Sequence, residues 1–205
     1  MNKEKFSRFI TEHFPAESQD LLRKFEEYLE ILWATNQQIN LISRKTRKED
    51  YWILHFLDSL LPVEFHDFSE QKILDFGTGG GLPGIPLKLT FPSSQVYLLD
   101  SIHKKINTLK NIIKVLDLPE CFTIVSRLED LEEKWDGFFD VIVCRSVKIL
   151  PKYKHMLLSL LKKNGRILLY KSKLLEDAEV FDHSKIHEMD FPEIGERNIV
   201  EIWKK

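Results

Sequence analysis

From residue 72 onward, short unbroken apolar runs take turns with longer stretches in which apolar residues recur every three or four positions. The short runs predict strands near 72–76, 95–99, 122–126, 139–144 and 166–171, since strands buried on both faces lose strict one-in-two alternation. The longer stretches predict helices near 84–91, 102–116 and 150–162. Strand and helix in alternation imply a parallel sheet covered on both faces. Two last strands, near 185–191 and 198–203, have turn residues Pro192, Gly195 and Asn198 between or beside them, which allows an antiparallel pair.

Before residue 72 the pattern is helical. One short helix spans 3–14 and stops before Pro15. A second runs from Glu17 to about Gln38, with Leu21, Leu22, Phe25, Tyr28, Leu29, Leu32 and Trp33 at helical spacing. A third is expected from about Lys48 to Leu61, ended by Pro62. The connector between the last two, Ser43 to Lys48, is basic. Residues 1–66 are therefore expected to form a helical extension flanking one compact unit of 67–205.

The stretch KILDFGTGGGLPGIP, Lys72 to Pro86, organises the rest. A buried strand ends in Asp75 and four glycines, Gly77, Gly79, Gly80 and Gly81, and a helix follows. Glycines so dense cost backbone entropy, and the return is positive φ and a backbone that a ligand can approach. Strand, glycine turn and helix make a nucleotide-type loop. Two patterns overlap in it. Gly79, Gly81 and Gly84, with Asp100 about 20 residues on, fit a dinucleotide site. Gly77, Gly79 and Gly81 after an acid fit S-adenosylmethionine, whose sulfonium and ammonium a carboxylate at Asp75 would attract, whereas it would repel a pyrophosphate. Pro83 and Pro86 also remove N–H groups that an anion site would use.

Composition narrows the field. The chain has 205 residues, 43% hydrophobic and 30% charged, with a net charge of −2. A substantial core is affordable, and no global basic field is present. Any nucleic-acid contact must be local. Cys121 and Cys144 lie in apolar runs, read as buried reduced thiols, with no metal spacing. No signal peptide or membrane span is expected, so the protein is read as cytoplasmic, monomeric and free of metal.

Candidate chemistry collects after the strands, where ligand groups gather in doubly wound sheets. Asp100 could accept both ribose hydroxyls or cap the next helix. Leu128 and Glu129 could flank an adenine, although Ser126 with Glu129 also reads as a helix start. Arg145 could stack on a base or fork to a phosphate, or form a surface ion pair. His55 and Asp58, three apart, read as a structural pair. A local basic surface could combine Arg44, Lys45, Arg47, Lys48, Lys104, Lys105, Arg127, Lys171 and Lys173. No nucleophile–base–orienter set is visible. A ring nitrogen such as guanine N7, with its in-plane lone pair, needs none.

Taken together these segments resemble the RsmG (GidB) family, which methylates guanine N7 in bacterial 16S rRNA with S-adenosylmethionine. The likeness runs through Asn36 to Leu41 (N-x-x-x-N-L), His55 to Ser59, the loop Asp75 to Pro86, Leu99-Asp100-Ser101 with Lys104-Lys105, Ser126 to Glu129, Cys144-Arg145-Ser146 and Tyr170-Lys171. It implies a class I S-adenosylmethionine-dependent methyltransferase fold: α/β and Rossmann-like, a mostly parallel seven-stranded sheet with an antiparallel last strand, behind an N-terminal helical extension. It also implies a site. Asp75, Gly77, Gly79, Gly81, Leu82, Asp100, Leu128, Glu129 and Arg145 would bind the donor. Arg145 would orient the reaction without a general base. Asn40, His55, Asp58, Arg127 and Lys171 would receive 16S rRNA or a small-subunit particle. The chain departs from the family pattern at Cys144, Ser146, Val147 and Ser172, all on the substrate side. Two other readings stay open, a ribosome-assembly factor that keeps the pocket without transfer and an NAD-dependent oxidoreductase.

Overall fold

The computed structural model describes residues 1–172, 175–189, 191 and 194–204. Lys173 and Pro192 lie outside the described residues. Helices α1 (Asn2–His13) and α2 (Ser18–Gln38) come first, followed by the short α3 (Asp58–Leu60). The strands are β1 (Lys72–Phe76), β2 (Gln95–Asp100), β3 (Cys121–Val125), β4 (Phe139–Arg145), β5 (Leu161–Lys171), β6 (Ser184–Met189) and β7 (Arg197–Trp203). Between them lie α4 (Gly84–Thr90), α5 (His103–Val115) and α6 (Tyr153–Leu160).

Together the strands form one seven-stranded sheet in the order β3-β2-β1-β4-β5-β7-β6. β1 to β5 pair in parallel, and β7 runs antiparallel between β5 and β6. β2 lies on one side of β1 and β4 on the other, so the order reverses at β1. The carboxyl ends flanking that reversal are where such sheets open a crevice.

Each face has its own apolar layer. One is built on Ile73, Val96, Val141, Leu168 and Ile199 of the sheet and is covered by α1, α2, α4 and α5, with Phe6, Phe25, Tyr28, Phe56 and Ile106 buried in it. The other holds Leu74, Leu99, Ile142, Leu169 and Val200 under α6, with Leu128, Phe139 and Ile149. The N-terminal helices thus share this layer, α2 packing on α4 and α5 and α1 on α2, with their aromatic side chains filling it.

One expected helix is irregular. Lys48–Asp50 is a 3₁₀ turn, Trp52–Leu57 is wound as π-helix, α3 is a single α turn, and Leu61–Glu64 is again 3₁₀. Pro62 does not end the segment. It sits in the first turn of the last piece, where its missing N–H is not needed. Buried anchors hold the irregular winding. Asn36 Nδ2 donates to the Tyr51 hydroxyl, and the Tyr170 hydroxyl donates to the Ser59 carbonyl at 2.8 Å. Single-turn π segments are frequent at functional sites.

Two crevices at the carboxyl rim, a candidate active site

The glycine loop leaves β1 and is held from inside the protein. Asp75 is fully buried, and its Oδ2 accepts from Thr78 Oγ1 at 2.7 Å and from Gly84 N–H at 2.8 Å. Burial pushes its pKa up to about 6. Asp75 lines neither of the cavities at the rim: its Oδ2 ties the two ends of the loop and caps the first N–H of α4, while its Oδ1 is buried with no hydrogen-bond partner. The reason is spatial, since Gly84 has no Cβ, and one placed there would lie 2.7 Å from Asp75 Oδ2. On the outer side, the Tyr28 hydroxyl of α2 donates to the Gly80 carbonyl at 3.0 Å, so the extension also fixes the loop.

A first crevice of about 320 Å³ opens beyond β1, β2 and β3. Gly77, Asp100, Leu128 and Glu129 all line it, with Phe76, Val147 and Tyr153, and Arg127 stands at its exposed lip. Gly77 has φ +75°, and a Cβ on it would lie 2.3 Å from Val147 Cγ2. That position is closed to any side chain. Asp100 is 8% exposed; its Oδ2 accepts from Gly79 N–H at 3.1 Å and its Oδ1 from Ile102 N–H at 2.9 Å. It does not cap α5, whose cap residue is Ile102. Each oxygen keeps a lone pair for a further donor. Leu128 is buried at the floor, and Glu129 pairs with Lys152 at 2.5 Å, which holds its carboxyl below the usual range.

Gly79, Gly81 and Leu82 do not line this crevice. Gly79 lends its N–H to Asp100. Gly81, φ +86°, lets the loop pass the Ile85 and Leu109 side chains, and Leu82 is buried in the apolar layer.

A second cavity, about 460 Å³, opens beyond β4, β5 and β7 and meets the first at Val147. Asp58, Arg145, Tyr170, Lys171, Asp177 and Arg197 line it. Arg145 is no surface ion pair. Its Nη1 donates to Asp58 Oδ2 at 2.8 Å, and Arg197 Nε donates to Asp58 Oδ1 at 2.7 Å, with the Asp58 side chain 5% exposed. One buried carboxylate thus holds two guanidiniums, leaving one positive charge in excess. Lys171, 10% exposed, pairs with Asp177 at 2.6 Å. Asp177 Oδ2 also accepts from Ile149 N–H at 2.8 Å, bracing the turn after β4, where Ser146 adopts φ +60°.

The expected His55–Asp58 pair does not form. In the π winding, bonded residues are five apart, so side chains three apart no longer stand one above the other. Both His55 ring nitrogens are buried without a hydrogen-bond partner, and burial, together with the nearby Arg145 charge, lowers its pKa to about 4. His55 and the exposed Asn40 line neither cavity. Nor is the 43–48 connector a free basic patch: Arg47 pairs with Asp50, and Lys48 with Glu30. Arg44 is turned onto the carbonyls of Asn36 and Gln37.

Arg197 and Asp177 carry no motif and escaped the sequence reading, and Val147 stood out there only as a departure from the family pattern; only the sheet order, with β7 beside β5, brings Arg197 next to Asp58. Among the described residues, no helix is long and apolar enough to cross a membrane, and no group of three or more His, Cys, Asp or Glu could hold a metal ion.

Comparison with known proteins bears on this arrangement. The family model described as "GidB: rRNA small subunit methyltransferase G" matches residues 21–198. "Ribosomal RNA small subunit methyltransferase G" of Lactococcus lactis subsp. cremoris (strain SK11) is 32% identical over 220 aligned residues, spanning 100% of this chain and 92% of its own. The protein of the same name from Christiangramia forsetii is 35% identical over 188 residues, 88% of this chain and 87% of its own. Among solved structures, a SAM-dependent methyltransferase from Aquifex aeolicus superposes with TM-score 0.59 at 17% identity, over 75% of this chain and 92% of that one. A precorrin-6y C5,15-methyltransferase from Geobacter metallireducens gives 0.56 at 14%, over 73% and 88%. At these identities the two structures show the fold alone.

Proposed function

The chain belongs to the GidB family, rRNA small subunit methyltransferase G, and on that premise we propose that it transfers the methyl group of S-adenosylmethionine to N7 of a guanosine in 16S rRNA. The observation that carries the reading is the pair of adjoining crevices, one backed by Asp100 and the Gly77 backbone, the other by Arg145 and Asp58, meeting at Val147.

The first crevice suits the donor. Asp100, with an unused lone pair on each oxygen, would accept the two ribose hydroxyls. Leu128 would pack against the adenine, and the bare Gly77 backbone leaves room that a side chain would fill. When bound there, S-adenosylmethionine supplies an electrophilic methyl group on a sulfonium.

The second crevice suits the acceptor. Guanine N7 presents a lone pair in the ring plane, so the protein moves no proton before attack. Its task is orientation, and proximity of this kind can be worth roughly 7–11 kcal/mol of barrier. Arg145, fixed by Asp58, offers a planar cation of set direction; it would stack on the base or hold a phosphate. The excess positive charge of the Arg145–Asp58–Arg197 group favours a polyanion at the mouth.

Mapping of 7-methylguanosine in 16S rRNA from cells with and without the gene tests the proposal, with a modified guanosine present only in the first. Reconstitution with purified small subunits and labelled donor should place the label on N7. Tight S-adenosylhomocysteine binding with no methyl transferred to naked rRNA, partial particle or subunit would instead favour an assembly factor that kept the pocket.

A further inference from the structure

Helix α5 reads HKKINTLKNIIKV and holds four lysines and a histidine but no acidic residue. The chain as a whole has 32 Asp and Glu among 205 residues, enough to place about two in any thirteen. Elsewhere its lysines are commonly paired: Lys48 with Glu30, Lys152 with Glu129, Lys154 with Asp182, Lys162 with Asp140. Lys104, Lys110 and Lys114 have no carboxylate partner among the described residues, and all three are exposed.

The placement is directional. At 100° per residue, Lys104, Asn107, Lys110, Asn111 and Lys114 fall on one stripe, and each is exposed, whereas Ile106, Leu109 and Ile112 on the opposite side are buried. The stripe carries three lysines, two asparagines and no acid, with the exposed His103 at its start and the exposed Val115 at its lower edge. Its upper end is at the donor crevice, since Ser101, two residues before α5, lines that crevice and Ile102 N–H is held by Asp100. From there it runs about 20 Å down the helix.

Lys104 and Lys105 also oppose the local field. They stand in the first turn, where the helix dipole favours acids, and no acid is present there. A merely solvated surface has no reason to keep cations at the unfavourable end.

We propose that this face of α5 is a track for the RNA strand that leaves the acceptor crevice, its lysines contacting backbone phosphates and Asn107 and Asn111 donating to phosphate or ribose oxygens. The inference rests on the rRNA reading above. The face has no apolar centre of the kind a protein partner would bury, and its contacts would be blind to sequence, as phosphate contacts are.

The test replaces Lys104, Lys110 and Lys114 together by glutamine in the full chain and measures binding to a 16S rRNA fragment at several salt concentrations. Each lysine that neutralises a phosphate should contribute roughly 0.7–0.9 to the slope of log affinity against log salt, so the triple variant should have a slope about two units shallower. Affinity near 0.1 M salt should fall by about tenfold or more, with S-adenosylhomocysteine affinity unchanged. Lys163→Gln, an exposed lysine at the far end of the sheet, should change neither. Unchanged RNA affinity and slope in the triple variant would overturn the track, and would do so equally if the face served an acidic protein. Failure of the wild-type protein to methylate rRNA would overturn the rRNA reading alone, because the track is judged by binding.

Discussion

The donor crevice and the acceptor crevice share a rim and the Val147 side chain, yet they are made of different material. The first sets a glycine-bent backbone against apolar side chains, Leu128, Val147 and Tyr153. Its shape comes from bends at Gly77, Gly79 and Gly81 and from two main-chain N–H groups held by Asp100. The second is mostly side-chain charge, gathered from α3, β4, β5 and β7. A backbone cradle recognises one small molecule by fit. A set of paired charges can exchange partners, which suits a large polyanion that brings its own.

If that contrast is right, breaking the charge cluster should damage the fold before it damages donor binding. Asp58→Ala leaves Arg145, 11% exposed, and the partly exposed Arg197 without their carboxylate. It should cost roughly 3–5 kcal/mol in urea unfolding, while S-adenosylhomocysteine affinity measured on the folded fraction stays within about twofold. A stability loss below about 1 kcal/mol would show that the two guanidiniums have other support.

The converse holds at the first crevice. Asp100→Ala removes the acceptor of two N–H groups and, on the proposed function, of the ribose hydroxyls. Calorimetry should find S-adenosylhomocysteine bound roughly 30- to 150-fold more weakly, the equivalent of about 2–3 kcal/mol. Unchanged affinity would remove the ribose role.

The smallest effect separates the two sides by pH. His55, beside the acceptor cluster, has its pKa lowered from 6.5 to about 4, so the folded state binds fewer protons than the unfolded one across that window. Its contribution to stability is present above pH 6.5 and is lost as pH falls through about 4. Asp75, under the donor loop, is raised from 3.8 to about 6. Its contribution has the opposite sign, present below pH 3.8 and lost as pH rises through about 6. The two offset each other between pH 4 and 6 in the wild-type protein. In His55→Gln the Asp75 contribution is no longer offset, so the urea midpoint should fall as pH is raised from 5 to 6. That interval lies above the range in which carboxylates held low by their partners, such as Glu129 and Glu201, titrate. A midpoint that still rose over that interval would mean that neither buried group sets the dependence.

The sheet and the donor side were open to sequence reading because their signals are local. An apolar run, a glycine cluster and an acid at a strand end each act through neighbouring residues, and β1 to β4 formed within one residue of expectation, whereas β5 begins at Leu161, inside the stretch expected to be helix. Winding and pairing were not open in that way. Pattern alone suggests one regular helix from 48 to 61, but the contacts of Asn36, Tyr51 and Tyr170 hold a π segment there, and that winding parted His55 from Asp58. Asp75 looked like a charge for a ligand because its burial cannot be seen in one dimension.

Length, composition and motif spacing thus determined by themselves a doubly wound α/β chain with a nucleoside-type loop at β1, since backbone geometry and burial follow from residue type over short spans. Which charges meet was left to the tertiary structure. Asp58 lies 87 residues from Arg145 and 139 from Arg197, and only the strand order that sets β7 beside β5 puts a single buried carboxylate within reach of both.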